Sequence, residues 1–154
     1  SVKAMLTEHL NEATLLFETN IAGWRDAIED VAAPLLASGA ISRRYVEAML
    51  ESIAAGGTYI DLGFGIALAH ARPENGVNRT GLSALWVQPE VLLNDEPAHP
   101  ISLFFCLAAA DSSSHLAALT ALGKLLSDDA TRESLLAART PAEALAVLKT
   151  GDEE

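Results

Sequence analysis

The sequence predicts a three-layer α/β/α domain in which helices cover both faces of a mixed, mostly parallel sheet. Short apolar runs typical of strands are interspersed with segments whose apolar residues recur every three or four positions, the spacing of helices. The run 101–109 is apolar without alternation, the pattern of a central strand covered on both faces. The length of 154 residues fits a single domain over 1–154, with 1–12 and 150–154 at its periphery.

The first half of the chain is predicted to contain a strand at 14–18, two helices and two short strands. The first helix has an apolar stripe formed by Trp24, Ile28, Val31 and Leu35. The second helix follows Ser42, a candidate N-cap, and has a stripe formed by Val46, Met49, Leu50 and Ile53. Strands are expected at 58–62 and 66–69, joined by a turn at Gly63-Phe64-Gly65.

The second half is predicted to contain strands at 81–88 and 101–109, followed by three helices. Asp111 or one of the serines after it is expected to cap the first of these helices. Its buried stripe is predicted to be Leu116, Leu119, Leu122 and Leu126. Two shorter helices are expected at 128–138 and 141–148, the last with Thr140 as its N-cap and Pro141 in its first turn.

Composition and charge exclude several classes of function. The formal net charge of −11 argues against non-specific binding to nucleic acid or anionic lipid. The single cysteine, Cys106, cannot form an intrachain disulfide or a thiolate metal cluster, which fits a reducing, cytosolic compartment. No apolar run approaches the roughly 18 residues needed to cross a bilayer, so no direct membrane insertion is expected.

Two of the four histidines are candidates for chemistry. His9 and His99 lie in polar or loop-like segments and are expected to be solvated. His70 follows a short apolar strand, and His115 lies in the first turn of the helix that follows strand 101–109. Ligands of α/β sheets bind at the carboxyl ends of strands, and parallel strands would bring both rings to the same rim.

The surroundings of these two histidines favour phosphate chemistry. A helix N-terminus stabilises a phosphoryl group and disfavours imidazolium, so a neutral, nucleophilic imidazole beside such a terminus is a coherent hypothesis. The competing interpretation is that both histidines merely end a strand and begin a helix. A metal site using Asp111 or Glu74 lacks the usual histidine spacing, and the elbow motif of serine hydrolases is absent.

Three motifs resemble the enzyme IIA domain of the bacterial phosphotransferase system, within its fructose–mannitol superfamily. They are the segments 45–50, 65–73 and 107–111, the last followed by His115. The run 70–76 and the pair Ser52-Ile53 are most similar to the ascorbate-type branch, because other branches usually carry an arginine–glutamate pair at that place. Ala69 departs from the proline that the family usually has before its active histidine.

The resemblance implies a cytoplasmic phosphoryl carrier without metal or other cofactor. His70 would accept phosphate from phospho-HPr and pass it to a cysteine of enzyme IIB, which serves the membrane enzyme IIC, for uptake of ascorbate or a related sugar acid or pentitol. His115 would assist, and Arg72 and the three serines Ser112, Ser113 and Ser114 would bind the phosphoryl oxygens. The alternative is a regulatory enzyme IIA paralogue whose phosphorylation state controls partner proteins.

Overall fold

In the computed structural model, which describes residues 5–152, a five-stranded sheet lies between two layers of helices. Its strands are β1 (Leu15–Thr19), β2 (Asp61–Gly63), β3 (Ile66–Ala69), β4 (Gly81–Leu92) and β5 (Pro100–Ala108). Their order is β1-β4-β5-β3-β2. Pairs β1–β4 and β3–β5 are parallel, and pairs β4–β5 and β2–β3 are antiparallel. The predicted α/β class with a mixed sheet is confirmed.

Within the described residues, six helices form the two outer layers. They are α1 (Met5–His9), α2 (Trp24–Ala37), α3 (Arg43–Ala54), α4 (Ser112–Ser127), α5 (Asp129–Ala137) and α6 (Pro141–Asp152). One core cluster joins α2 and α3 to one face of the sheet. A second cluster joins α1, α4, α5 and α6 to the other face.

Strand β5 lies at the centre of both cores. Phe104 belongs to the cluster beneath α2 and α3, whereas Phe105 belongs to the cluster beneath the other four helices. Both side chains are fully buried. Successive side chains of a strand point to opposite faces, so a two-sided strand must be apolar at every position. The prediction of a central strand covered on both faces is confirmed.

Helices α2 and α3 follow their predicted apolar stripes. All four stripe residues of α2 are buried, and so are Val46, Met49 and Ile53 of α3, while Leu50 is half-buried. Arg43 at the start of α3 makes a bidentate ion pair with Glu29 of α2, with both N–O distances at 2.6 Å. Apolar packing on the sheet and this surface pair hold the two helices together.

The face that α4 turns to the core differs from the prediction. Leu116 and Leu119 are 65% and 40% exposed, whereas the buried side chains are those of Ala118, Ala121, Leu122 and Leu125. Two of the four buried residues of this helix are alanines, and an apolar pattern that weights leucine over alanine selects a face rotated by about one residue. The predicted stripe is therefore wrong at its first two positions.

Two other expectations need correction. The segment expected as a strand at 58–62 begins with a 3₁₀ turn, Thr58–Ile60, and only then enters β2. His99 is not simply solvated, because its Nδ1 lies 2.7 Å from Oδ2 of Asp61.

The N-terminal segment contributes to the core. It was expected at the periphery, but within it Met5, Leu6 and Leu10 are buried against the sheet. Of the two expected peripheral segments, residues 150–152 belong to α6, whereas residues 1–4 and 153–154 lie outside the described residues.

Glu18 of β1 gives the fold a pH dependence that can be measured. Partial burial and the hydrogen bond and repulsion of Asp30 raise the pKa of Glu18 to about 7, from an ordinary 4.5. The folded protein therefore keeps a proton on Glu18 that the unfolded chain releases at lower pH. Protonated Glu18 contributes to the free energy of unfolding in full below the pKa of the unfolded chain, and this contribution is lost as the pH rises through about 7. We expect urea midpoints to fall less between about pH 5 and about pH 8 in Glu18→Gln than in the wild type.

A matched control is Glu90→Gln, which removes an exposed carboxylate from β4. The urea midpoint of this variant should differ between the two pH values by as much as that of the wild type. The reason is that the Glu90 side chain is exposed to solvent in the folded protein as well as in the unfolded chain. An equal pH response in Glu18→Gln and the wild type would contradict the assignment to Glu18.

Candidate active site

An open cleft of about 450 Å³ lies at the rim of the sheet where β3 and β5 end. Its lining comes from α3, the segment before β2, the loop after β3, the end of β5 and the start of α4: Tyr45, Tyr59, His70, Ala71, Arg72, Pro73, Leu107, Ala109, Asp111, Ser112 and His115. Strands β3 and β5 run parallel, so their carboxyl ends meet here. Both histidines singled out in the sequence line this cleft.

The ring of His70 is held in one tautomer by the backbone. Its Nδ1 lies 2.9 Å from the carbonyl oxygen of Leu68. A carbonyl oxygen can only accept a hydrogen bond, so Nδ1 carries the hydrogen and Nε2 of the neutral ring keeps its lone pair. Nε2 is therefore the nitrogen of the neutral His70 ring that can act as a nucleophile.

His115 approaches His70 from the first turn of α4. The two ring centroids are 5.9 Å apart, and the ring planes are tilted by 53°. Both rings are partly exposed. This separation places the rings side by side in the cleft, close enough for a group bonded to one ring to contact the other.

Asp111 caps α4 and brings a negative charge to the cleft. Its carboxylate accepts a hydrogen bond from the Ser114 amide at 2.8 Å. Hydrogen bonds from Ser114 and Ser113 hold the pKa of the Asp111 carboxyl below its usual range, so it stays ionised near neutral pH. Of the alternative caps that the sequence allowed, the structure shows Asp111.

The predicted phosphoryl-binding residues are divided between two places. Ser112 and Arg72 line the cleft, and Arg72 is the one arginine or lysine among the described lining residues. Ser113 and Ser114 instead line a separate depression together with residues of α1. The structure thus brings Ser112 and Arg72 to the histidine pair but not the other two serines.

Two tyrosines of the cleft were not foreseen from the sequence. Tyr45 is fully buried in the core stripe of α3, and its hydroxyl contacts the backbone on both sides of the cleft. Tyr59 is 67% exposed. Its ring meets that of His70 edge to face, with centroids 6.1 Å apart. The available signal for Tyr45 was that a buried tyrosine needs a hydrogen-bond partner for its hydroxyl.

Ser52 of α3 lies next to Tyr59. The two hydroxyl oxygens are 3.5 Å apart. Two hydroxyl groups, those of Ser52 and Tyr59, therefore lie side by side at this edge of the cleft.

Within residues 5–152, no three histidine, cysteine or acidic side chains are grouped in a way that could hold a metal ion. None of the described helices combines the length and apolar character needed to span a bilayer.

Sequence comparison finds relatives of this chain along nearly its full length. Residues 8–151 match the sequence model of the family described as phosphoenolpyruvate-dependent sugar phosphotransferase system, EIIA 2. The mannitol-specific cryptic phosphotransferase enzyme IIA component of Escherichia coli is 33% identical over 148 residues, covering 95% of this chain and 99% of that protein. The ascorbate-specific EIIA component of Salmonella choleraesuis is 30% identical over 136 residues, covering 88% of this chain and 87% of that protein.

Solved structures share the fold. The solution structure of the Escherichia coli mannitol-specific cryptic enzyme IIA aligns with a TM-score of 0.85 at 31% identity, covering 95% of this chain and 99% of that one. Enzyme IIA for mannitol from Escherichia coli, solved in complex with phosphorylated enzyme IIB, aligns with a TM-score of 0.77 at 23% identity, covering 92% and 97% of the two chains. With the family match over residues 8–151, these relatives show that the chain belongs to the EIIA 2 family of the phosphoenolpyruvate-dependent sugar phosphotransferase system and is a phosphotransferase.

Proposed function

We propose that this chain carries a phosphoryl group on Nε2 of His70, taken from phospho-HPr and passed to a cysteine of enzyme IIB. The observation that carries the proposal is the 2.9 Å hydrogen bond between His70 Nδ1 and the Leu68 carbonyl. This bond leaves Nε2 as the free nucleophile of a ring that lines an open cleft. An open cleft suits a carrier, because two protein partners must reach the same atom in turn.

The proposed reaction consists of two displacements at phosphorus. In the first, the Nε2 lone pair forms a bond to phosphorus, while the bond to the donor atom of phospho-HPr breaks and leaves its electron pair on the donor. The His70 ring becomes more positive as the new bond forms, and the Leu68 carbonyl stabilises this charge through Nδ1–H. In the second, the thiolate of enzyme IIB attacks phosphorus, and the electron pair of the P–N bond returns to Nε2.

Residues around His70 would hold the phosphoryl oxygens. Phosphoryl transfer depends mainly on alignment and on charge placed near the equatorial oxygens. His115 lies beside the acceptor ring, while Arg72 and Ser112 line the same cleft and supply a cation and a hydroxyl donor. We assign these three residues to phosphoryl binding.

The carboxylate of Asp111 counterbalances these donors. It is ionised and lines the same cleft. Because like charges repel, it works against a long-lived phosphorylated state. A carrier benefits from this balance, since a phosphoryl group bound too tightly would not move on.

The proposed route is uptake of ascorbate or a related sugar acid or pentitol. It is supported by Ser52-Ile53, by the run 70–76 and by the 30% identity to the ascorbate-specific component. The complex of the Escherichia coli mannitol enzyme IIA with phosphorylated enzyme IIB supports the choice of partner. The chain would act in the cytoplasm and serve the membrane enzyme IIC through IIB.

The proposal is tested by incubating the protein with enzyme I, HPr and labelled phosphoenolpyruvate. We expect one phosphate for each chain, labile in acid and stable in base, as for a phosphohistidine. Adding the cognate enzyme IIB should then remove the label from this chain. A wild-type protein that takes up no label would contradict the proposal, and a label that IIB leaves in place would favour the regulatory alternative.

A further inference from the structure

The hydroxyl of Tyr45 joins strand β5 to the loop that follows β3. It donates to the carbonyl oxygen of Leu107 at 2.7 Å and accepts from the amide of Ala71 at 2.9 Å. Leu107 belongs to β5, and Ala71 directly follows His70. A residue of helix α3 is thus bonded to the backbone beside the acceptor histidine and to the neighbouring strand.

The hydroxyl occupies the place of an inter-strand hydrogen bond. In the β3–β5 ladder, the amide of Leu103 donates to the Gly65 carbonyl at 3.1 Å. In a parallel ladder, each strand donates and accepts at every second residue. If the β3–β5 pattern is continued in this way past the end of β3, the amide of Ala71 would donate to the carbonyl of Leu107. Those are the two groups that the Tyr45 hydroxyl joins. The Tyr45 hydroxyl therefore lies between these two backbone groups, in place of a direct hydrogen bond between them.

We propose that Tyr45 is a positioning residue for phosphoryl transfer, whose hydroxyl separates β3 from β5 at the rim and fixes the backbone that carries His70. The proposal rests on the phosphoryl-carrier function proposed for this chain. Opening the ladder at this point creates room for the cleft between the strand ends. Fixing the Ala71 amide also fixes the position of the His70 ring relative to the Leu68 carbonyl that sets its tautomer.

The surroundings of Tyr45 suit this task. Its side chain is fully buried, and its hydrogen bond to the Leu107 carbonyl is buried as well. Burial raises the pKa of the Tyr45 hydroxyl well above its ordinary value, so the group is protonated and can donate a hydrogen bond near neutral pH. A phenylalanine would fill the same space but would leave the buried Leu107 carbonyl and the part-buried Ala71 amide without this partner.

The test compares Tyr45→Phe with the wild type in two measurements. With phospho-HPr as donor, we expect kcat to fall by about tenfold or more, because His70 is no longer held in position when the hydroxyl is lost. KM should stay unchanged, because the buried hydroxyl makes no contact with phospho-HPr. In long-range ¹H–¹⁵N spectra of the unphosphorylated protein, the wild type should show His70 with hydrogen on Nδ1. The variant should show a mixture of both tautomers.

Ser83→Ala is the matched control. Ser83 is buried, and its hydroxyl donates to the Val31 carbonyl at 2.5 Å, outside the cleft. This variant also leaves a buried carbonyl without its donor, yet it should keep the wild-type kcat and the His70 spectrum. Unchanged values in Tyr45→Phe, or equal losses in both variants, would overturn the proposal. The spectra do not require phosphorylation, so they decide the role of Tyr45 even if the wild type accepts no phosphate.

Discussion

Replacing His70 with alanine is expected to abolish phosphorylation of this chain. The rate of labelling from phospho-HPr should fall by about 10³-fold or more, because the change removes the nitrogen that is proposed to form the P–N bond. His70→Gln should be equally inactive, since an amide nitrogen has no lone pair available for attack on phosphorus. The measurement is the amount of acid-labile label bound to each variant after incubation with enzyme I, HPr and labelled phosphoenolpyruvate.

The other histidines supply controls for this experiment. His99→Ala should retain full labelling, because His99 pairs with Asp61 and does not line the cleft. His115→Ala should label more slowly without losing the label altogether, since its ring lies beside the acceptor and only assists. Label that persists unchanged in His70→Ala would remove the assignment of His70 as acceptor.

Residues close together in the sequence made the histidine pair predictable. A short apolar strand ending at Ala69 and a helix capped just after strand β5 are both readable from local pattern. The rule that ligands bind at the carboxyl ends of strands then places His70 and His115 at one rim. The structure shows the two rings in one cleft, 5.9 Å apart.

Side-chain direction within one helical turn was harder to foresee. Successive residues of a helix point about 100° apart, so three consecutive serines cannot all face one cleft. The structure turns Ser112 toward His70 and the next two serines toward α1. The same rotation separates the exposed Leu116 and Leu119 from the buried alanines of α4.

Contacts between distant segments gave no signal in the sequence. The pairing of His99 with Asp61 joins residues 38 positions apart. The bridge from Tyr45 to Leu107 spans 62 positions. Such pairs depend on strand order, and a periodic apolar pattern specifies which face of an element is buried but not which neighbour it meets.

Truncating either phenylalanine of β5 is expected to destabilise the fold strongly. Phe104→Ala and Phe105→Ala each remove a fully buried ring from a different core. Each should lower the free energy of unfolding by about 3–5 kcal/mol, the usual cost of such a cavity. That is a large share of the roughly 5–15 kcal/mol by which domains are stable. Urea unfolding followed by circular dichroism measures both changes.

Phe64→Ala provides the same chemical change at an exposed site. Its ring is 67% exposed at the turn between β2 and β3 and stacks against the Arg132 guanidinium, 3.7 Å from the ring centre. Losing this contact should cost no more than about 1 kcal/mol. A similarly small cost for only one of the two β5 variants would mean that one face of the strand is loosely covered. If β5 supports both cores and thereby fixes the rim where His70 and His115 meet, both variants must lose a large and comparable part of the free energy of unfolding.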